Sequence, residues 1–230
     1  MIVPKNYEAK VVEIIDLAPD IRHLKLSIKN FKFEPGQFIN IKIPANKPLI
    51  RAYSICSKPN NDYIEICFKK VKDGPGTSFL FSLKLNDKIN IFGPLGMFTL
   101  KDVAVKELVL ISTGTGIAPF RSMINHLLAD SSKVPIKLIT GHRTEESLLY
   151  QKEFMELSSR YSNFSYLPIL SKPKDKTGEG HVQDIILKHI TNNYRAWFYI
   201  CGLNQMIEDV KSILIKKGIS KNKIHFERYD

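Results

Sequence analysis

The chain has 230 residues, of which 43% are hydrophobic, and it carries a formal net charge of +11 and three cysteines. Three scattered cysteines are too few for a zinc site, a four-thiolate iron–sulfur cluster or a disulfide framework. We therefore expect no metal centre, and any redox chemistry would require a bound organic cofactor. The sequence has no run of roughly 18 apolar residues, as a membrane helix needs, and no signal sequence. We therefore expect a cytoplasmic protein of two small domains.

The positive charge is spread along the chain. Residues 1–103 contain 16 basic and 10 acidic side chains, and the remaining residues contain 18 and 13. Because neither a basic arm nor an aromatic-rich RNA motif accompanies these charges, we do not expect nucleic-acid binding. Two interpretations stay open, a solvated surface and attraction to an acidic partner.

The first part of the chain alternates apolar and polar residues, which is typical of half-buried strands. Residues 37–43 place three isoleucines on one face, and residues 63–68 repeat the pattern. Turn-forming pairs separate further short runs, which occupy residues 7–16, 21–28, 50–55 and 88–92. About six antiparallel strands at this spacing predict a small closed β-barrel. A short helix is predicted at residues 78–83.

Strands and helices alternate in the second part of the chain. Strand-like residues 108–112 and 136–140 precede helical patterns at residues 120–128 and 151–161. The alternation continues through residues 164–170, 182–189, 197–201, 204–217 and 223–228. Parallel strands with crossover helices explain this order, so we predict a doubly wound α/β domain that binds its ligand at the carboxyl ends of the strands. The predicted domains are residues 1–103 and 104–230.

The first strand of the second domain leads into Thr113-Gly114-Thr115-Gly116. Glycines let a ligand approach the backbone, and the N–H groups at a helix start suit a phosphate. Pro119 is compatible with the first helical turn, where its missing N–H would lack a partner. The acidic residue that a dinucleotide motif places about 20 residues later is missing, since the next strand ends in Gly141-His142-Arg143. By itself the loop is compatible with a phosphate site or with an ordinary tight turn.

Five short motifs follow one another along nearly the whole chain. They are Arg51-Ala52-Tyr53-Ser54, Gly74-Pro75-Gly76-Thr77, Gly93-Pro94-Leu95-Gly96, Thr113-Gly114-Thr115-Gly116-Ile117-Ala118-Pro119 and Cys201-Gly202. In this order and at this spacing they resemble the motifs of the ferredoxin–NADP reductase family. The resemblance implies a flavin-binding antiparallel barrel followed by a pyridine-nucleotide domain, with FAD and NAD(P)H as cofactors.

The resemblance assigns the first two motifs to the flavin. The strand period sends Arg51 and Tyr53 to one face and Ser54 to the other. A guanidinium suits a phosphate, a phenol ring can stack on a flat heterocycle, and a serine hydroxyl can donate to a ring nitrogen. Ser54 is the family's counterpart for a hydrogen bond near flavin N5, and Thr77 is also a candidate helix N-cap. The predicted flavin-binding residues are Arg51, Ala52, Tyr53, Ser54, Phe68, Lys69, Gly74, Gly76 and Thr77.

The resemblance also implies a nucleotide site in the second domain. Cys201 ends a predicted strand at the carboxyl edge, although a free cysteine is more commonly a small buried residue. Glu227 and Tyr229 have the spacing of the family's C-terminal Glu-x-Tyr, but Asp230 follows, which puts stacking of Tyr229 on the flavin in doubt. We predict catalytic roles for Ser54, Cys201, Glu227 and Tyr229. The predicted nucleotide-binding residues are Thr113, Gly114, Thr115, Gly116, Pro119, His142, Arg143, Ser171, Lys172, Cys201, Gly202 and Met206.

The sequence Ser171-Lys172-Pro173-Lys174-Asp175-Lys176 stands where plant-type members of the family carry a Ser-Arg pair for the 2′-phosphate of NADPH. Three lysines can neutralise a phosphate, although lysine lacks the bidentate fork of arginine. We predict a preference for NADPH, with a solvated lysine-rich loop as the alternative.

The resemblance implies hydride transfer between nicotinamide C4 and flavin N5, after which the flavin exchanges electrons with another molecule. We predict a monomeric flavoenzyme that serves an acidic electron-carrier protein such as ferredoxin or flavodoxin. A free-flavin or ferric reductase is one alternative, which retention of Arg51 and of the Gly74 motif disfavours. An electron-transfer subunit of a larger complex is another, but three dispersed cysteines cannot supply the cysteine-rich cluster segment of such subunits.

Overall fold

The computed structural model describes residues 2–44, 49–60, 62–101, 106–175 and 179–229. By its internal contacts the chain forms two compact units. The first consists of Met1–Leu100 with Ala118–Ala129, and the second of Lys101–Ile117 with Asp130–Asp230. The predicted domain boundary, between residues 103 and 104, lies outside the described residues.

The first unit is built on a curled sheet of six antiparallel strands, as the alternating pattern predicted. The strands are β1 (Lys5–Ala18), β2 (Ile21–Ser27), β3 (Phe38–Ile43), β4 (Leu49–Ser54), β5 (Tyr63–Lys69) and β6 (Lys88–Leu95). Their order in the sheet is β4-β3-β6-β1-β2-β5. Just beyond β4 the two edges meet at an Ile55–Ile66 bridge, where the Cys56 amide donates to the Glu65 carbonyl oxygen at 2.8 Å. The six antiparallel strands therefore curl into a half-barrel, which confirms the predicted fold class of this domain.

The core of the first unit comes from the apolar face of each strand. Ile39, Ile41, Ile64 and Ile66 are fully buried, in agreement with the period of two read from the sequence. Helix α1 (Pro75–Ser82) follows β5 and adds Leu80 to this core. The helix begins three residues before the predicted start, because proline is well tolerated in a first helical turn.

A second helix, α2 (Ala118–Ala129), also packs in the first unit. The rings of Phe98 and Phe120 have centroids 6.0 Å apart, and a Cβ on Gly36 would lie 2.6 Å from the terminal methyl of Met123. In chain order the helix lies between two parallel strands, as the sequence analysis predicted for a crossover element. Its apolar period identified the helix, but a period does not reveal which neighbour the apolar face contacts.

The second unit contains a parallel sheet of five strands in the predicted alternation with helices. The strands are β7 (Leu108–Thr113), β8 (Ile136–His142), β9 (Phe164–Leu170), β10 (Trp197–Gly202) and β11 (Ile224–Arg228). The helices are α3 (Gln151–Arg160), α4 (Val182–His189) and α5 (Asn204–Lys216). The strand order β11-β10-β7-β8-β9 confirms a doubly wound sheet. Its winding direction reverses between β7 and β10, the point at which such sheets bind ligands.

The central strands of this sheet are buried almost throughout, as expected for parallel strands covered on both faces. Ile111 and Ile200 pack in one cluster with residues of α4 and α5, among them Ile186 and Leu214. Among the described residues, no helix combines the length and the apolar character that a membrane crossing would demand.

Adjacent positions of α5 provide a test of the second core. Leu214 is fully buried and Ile215 is 42% exposed. We expect Leu214→Ala to lower the free energy of unfolding by about 2–5 kcal/mol, because it removes buried methyl groups and leaves a cavity. Ile215→Ala should change it by less than about 1 kcal/mol. Urea unfolding followed by fluorescence of the single tryptophan, Trp197, measures both variants, and equal losses would contradict the assignment of this core.

Candidate functional site

Two of the predicted flavin motifs meet in the first unit. Arg51 and Tyr53 lie on β4, and Gly76 lies in the first turn of α1. A Cβ on Gly76 would stand 2.9 Å from Arg51 Cγ and 3.4 Å from the Tyr53 hydroxyl oxygen. Glycine therefore allows the start of α1 to come close to both side chains. An exposed guanidinium beside a helix N-terminus is suited to binding phosphate.

Tyr53 and Ser54 occupy the end of β4. The Tyr53 ring packs edge-on against Phe68, with centroids 5.6 Å apart. Burial raises the pKa of Tyr53 to about 12, against a smaller opposite effect of Arg51, so the phenol stays protonated at pH 7. Ser54 is 6% exposed, whereas Ala52 is exposed. Phe68 is itself buried in the core, where it supports Tyr53.

The predicted N-cap role of Thr77 is wrong, because the N-cap of α1 is Gly74. The Thr77 hydroxyl accepts a hydrogen bond from the Val71 amide at 3.0 Å and lies 3.3 Å from the Gly74 carbonyl oxygen. It therefore stabilises the turn that leads into α1. Lys69 lies at the surface, with its ammonium 3.2 Å from the Asp20 carboxylate.

In the second unit, the glycine loop and the Cys201-Gly202 motif meet at the carboxyl ends of β7 and β10. The loop forms one 3-10 turn, Gly114–Ile117, directly before α2. A Cβ on Gly116 would overlap the Cys201 carbonyl oxygen. Gly202 has a φ of +142°, and a Cβ there would overlap the Thr113 hydroxyl. Both close approaches are possible only because these residues are glycines, which have no Cβ.

Cys201 lies in the middle of this arrangement. In the sheet register it stands between Ser112 on β7 and Glu227 on β11. Its side chain is fully buried, and burial raises the pKa of the thiol well above its usual value. The Glu227 carboxylate raises this pKa further, while a hydrogen bond with Tyr229 acts in the opposite direction. Cys201 is therefore a neutral thiol at pH 7. The Tyr229 amide donates to the Gly202 carbonyl oxygen at 3.0 Å, which brings the C-terminal residues onto the same motif.

Predicted residues from two successive strands join at the ends of β8 and β9. The Ser171 amide donates to the His142 carbonyl oxygen, and the Lys172 amide donates to the Arg143 carbonyl oxygen, both at 2.9 Å. Burial lowers the pKa of His142 to about 4, although a hydrogen bond with the Ser147 backbone opposes this. His142 is therefore neutral at pH 7. Positive charge at this edge comes from Arg143 and Lys172, which are exposed.

Two acidic residues that the sequence analysis missed lie beside this edge. The Glu146 carboxylate is 2.6 Å from Lys174 Nζ, and Glu145 Oε1 accepts a hydrogen bond from the Lys174 amide at 3.0 Å. The Lys174 ammonium lowers the pKa of Glu146 to about 2, and Glu146 in turn raises the pKa of Lys174. The adjacent pair of glutamates was a visible signal, but it resembled an ordinary solvated turn. Lys176 lies outside the described residues.

Two further predicted residues are buried in apolar surroundings. Met206 lies near the start of α5, is 6% exposed and belongs to the core of the second unit. Pro119 is buried at the second position of α2, where its missing N–H leaves no helix hydrogen bond unmade. Packing in the core explains the burial of Met206, and helix geometry explains why a proline is tolerated as Pro119. Contact of either residue with a cofactor stays a prediction.

The two arrangements fit the cofactors that the resemblance implies. A guanidinium, a helix N-terminus and a phenol in the first unit suit a flavin dinucleotide with its pyrophosphate. The loop of small residues in the second unit lies where a doubly wound sheet binds a dinucleotide. Neither fit relies on a metal ion.

Comparisons with known proteins agree with this organisation. Residues 8–100 match the family model of the oxidoreductase FAD-binding domain, and residues 110–212 match that of the oxidoreductase NAD-binding domain. The phenol hydroxylase P5 protein of Acinetobacter pittii is 32% identical over 235 residues. That alignment covers 98% of this chain but 66% of the relative, so the chain spans just under two thirds of it.

Two other similar proteins are covered almost completely. Ferredoxin–NADP reductase B of Sorangium cellulosum is 29% identical over 248 residues, with 100% of both chains covered. The structure of ferredoxin–NADP+ reductase from Plasmodium falciparum with 2′P-AMP is 29% identical and has a TM-score of 0.84, with 97% of this chain and 96% of that chain covered. With both domain families matched in order and the fold shared throughout, the chain belongs to the ferredoxin–NADP reductase family of FAD- and NAD-binding oxidoreductases.

Proposed function

We propose that this chain is an FAD-dependent NAD(P)H oxidoreductase that exchanges electrons with a small acidic carrier protein such as ferredoxin or flavodoxin. The observation that carries the proposal is the close approach of Gly116 to Cys201, which forms a nucleotide cradle next to Glu227. When bound, the cofactors supply hydride transfer between nicotinamide C4 and flavin N5. The protein binds both groups, aligns them and excludes water.

Residues of the first unit hold the flavin in this proposal. Arg51 and the N–H groups at the start of α1 neutralise the pyrophosphate, and Gly76 provides the space for it. Tyr53, supported by Phe68, offers a ring face and a protonated hydroxyl. The Ser54 hydroxyl donates a hydrogen bond near flavin N5.

Residues of the second unit hold the nucleotide. The N–H groups of the Gly114–Ile117 turn bind its phosphates. Cys201 is neutral and buried, so it acts as a small uncharged neighbour of the nicotinamide and not as a nucleophile. The Glu227 carboxylate favours positive charge as the nicotinamide is oxidised. Tyr229 bonds to the Cys201-Gly202 motif through its amide, which donates to the Gly202 carbonyl oxygen, and through a side-chain hydrogen bond with Cys201.

Two glycine substitutions test the close approach of Gly116 to Cys201. Gly116→Ala should slow flavin reduction by NADPH about 100-fold, because its Cβ overlaps the Cys201 carbonyl oxygen and displaces the loop. Bound FAD should remain, since the flavin motifs lie in the first unit. Gly114→Ala is the comparison within the same turn and should slow flavin reduction less than Gly116→Ala does. Its Cβ would meet no described atom within 4 Å, although its φ of +53° adds about 1 kcal/mol of strain.

Stopped-flow absorbance of the flavin measures both rates, and chromatography of the acid-released cofactor should show FAD. Wild-type reduction in Gly116→Ala would contradict the proposed nucleotide site. Release of FMN in place of FAD would contradict the proposed flavin site.

The choice between NADPH and NADH is a finer part of the proposal. The NADPH prediction draws support from the Plasmodium falciparum relative, whose structure was solved with 2′P-AMP, a nucleotide with a 2′-phosphate. Arg143 and Lys172 supply exposed cations at the ends of β8 and β9. The Glu146 carboxylate reduces the positive charge at this edge, because it forms an ion pair with Lys174.

Glu146→Gln should therefore increase the ratio of kcat/KM for NADPH to that for NADH. We expect a change of about three- to fivefold, since an exposed ion pair contributes less than about 1 kcal/mol. Glu8→Gln is the matched control, because Glu8 pairs with Lys88 on the exposed surface of the first unit. Steady-state kinetics with both nucleotides measures the ratio, and an unchanged or lower ratio in Glu146→Gln contradicts the assignment of this edge to the 2′-phosphate.

The acidic carrier is favoured by the charge of the chain and by its relatives. The net charge of +11 creates a positive potential that attracts an acidic partner. In the first unit, Lys70 and Lys72 are exposed on either side of exposed Val71, directly before the Gly74 motif. A second candidate is a reductase component of an oxygenase, which the similarity to the reductase component of a Pseudomonas phenol 2-monooxygenase favours. A free-flavin reductase is the third.

Ionic strength distinguishes a charged protein partner from a small acceptor. Raising it from about 0.01 M to 0.15 M shortens the Debye length from roughly 30 to 8 Å, so carrier reduction should slow several-fold. Reduction of a neutral artificial acceptor should barely change. The flavin is reduced beforehand, so that salt effects on NADPH binding do not contribute. A carrier rate indifferent to salt, or turnover of free flavin alone, would contradict the carrier proposal.

A further inference from the structure

A buried polar cluster lies where α2 contacts β5 in the first unit. A guanidinium nitrogen of Arg121 donates to Glu65 Oε2 at 2.6 Å and to the Cys56 carbonyl oxygen at 3.1 Å. The side chains of Arg121 and Glu65 are 16% and 12% exposed. His23 Nε2 lies 3.9 Å from the same carboxylate oxygen. Such a buried pair is costly to break, because either partner alone would be a poorly solvated charge.

The same cluster contains three groups that can bind metals. Ligand atoms of His23, Cys56 and Glu65 all lie within 4.8 Å of one another. A metal ion would have to compete with Arg121, whose guanidinium is also 4.0 Å from Cys56 Sγ. Arginine stays protonated, so its charge repels a divalent ion at this distance. The cluster is therefore an anchor for Arg121 and not a metal site.

Arg121 stands in the first turn of α2, directly after the glycine loop. The Gly114–Ile117 turn ends where α2 begins, so Arg121 is the fourth residue of the helix. Contacts of α2 made by Phe120 and Met123 are apolar and therefore non-directional. The guanidinium hydrogen bonds have defined directions and so fix the rotation and the axial position of this turn.

We propose that Arg121 is a positioning residue for the nicotinamide nucleotide. By bonding to Glu65 and Cys56 it fixes the first turn of α2, and through the continuous backbone it holds the N–H groups of the Gly114–Ile117 turn in the geometry that a pyrophosphate needs. The guanidinium acts on the nucleotide through the helix start and does not contact it. This inference rests on the proposed function, which assigns the turn to the nucleotide.

The test compares substitutions at both ends of the pair. Arg121→Met should raise the Kd for NADP+ about tenfold, because small displacements of an aligned site have large effects. It should also speed amide hydrogen exchange in residues 114–121 while the FAD content stays at the wild-type level. Arg121→Lys should restore part of the affinity. Glu65→Gln keeps the shape and an acceptor oxygen but removes the charge, so it should show a smaller effect in the same direction.

Arg22→Met is the matched control. Arg22 is 14% exposed and pairs with Asp16 at 2.7 Å in the same unit. Its other hydrogen bond goes to the Phe81 carbonyl oxygen on α1, so it has no link to the glycine loop. We expect this variant to lose stability, with the NADP+ Kd and the exchange of residues 114–121 unchanged. Difference absorption spectra give the Kd values, and the flavin absorbance gives the FAD content.

An unchanged Kd in Arg121→Met, or an equal rise in Arg22→Met, would overturn the inference. If Arg121→Met does not fold, Glu65→Gln becomes the test of the inference. An unchanged Kd for NADP+ together with unchanged hydrogen exchange in Glu65→Gln would then overturn the inference as well. Wild-type protein that binds neither NADP+ nor NAD+ would contradict the proposed function instead. Hydrogen exchange in residues 114–121 would still show whether Arg121 holds the loop.

Discussion

The approach of two backbone segments at the end of the parallel sheet is the constraint on which the proposed nucleotide site depends. Gly116 fits against the Cys201 carbonyl oxygen, and Gly202 fits against Thr113, because neither glycine carries a Cβ. The loop after β7 can therefore lie directly on the end of β10. Strand β10 also pairs with β11, and the register of this pairing sets Glu227 beside Cys201. The position of the loop thus follows from two glycines, and the position of the carboxylate follows from the strand register.

Much of the fold was predictable because burial imposes a period on the sequence. The strand at Phe164–Leu170 and the helix at Val182–His189 have the bounds that the pattern indicated. The motifs were predictable for a related reason: glycine at Gly76 and Gly116 is required by a close approach, so it stands out in the sequence. The start of α1 was missed because Pro75 and Gly76 have the composition of a turn.

Contacts between residues that are far apart in the chain leave no periodic pattern in the sequence. Arg121 pairs with a carboxylate 56 positions earlier, and the helical pattern around it describes only the apolar face of α2. Lys174 was one of three lysines predicted to neutralise a phosphate, with a solvated loop as the alternative, and it forms an ion pair with Glu146. The sequence shows how many acids and bases exist but not which of them meet, because that depends on the packing of whole elements. The apolar side of the site was therefore predictable, and its ion pairs were not.

The sequence did not reveal which titratable groups are charged, because that also depends on packing. These charge states divide the proposed nucleotide edge into buried neutral groups and exposed charged groups. Cys201 and His142 are neutral at pH 7, because burial raises the pKa of the thiol and lowers that of the imidazole. The charged groups Lys172, Lys174 and Glu146 stand on exposed loops. Exposed charges can be exchanged with little cost in stability, whereas buried groups cannot. In the proposed nucleotide site, preference for one nucleotide can therefore change through the loops while the buried residues Cys201 and His142 stay as they are.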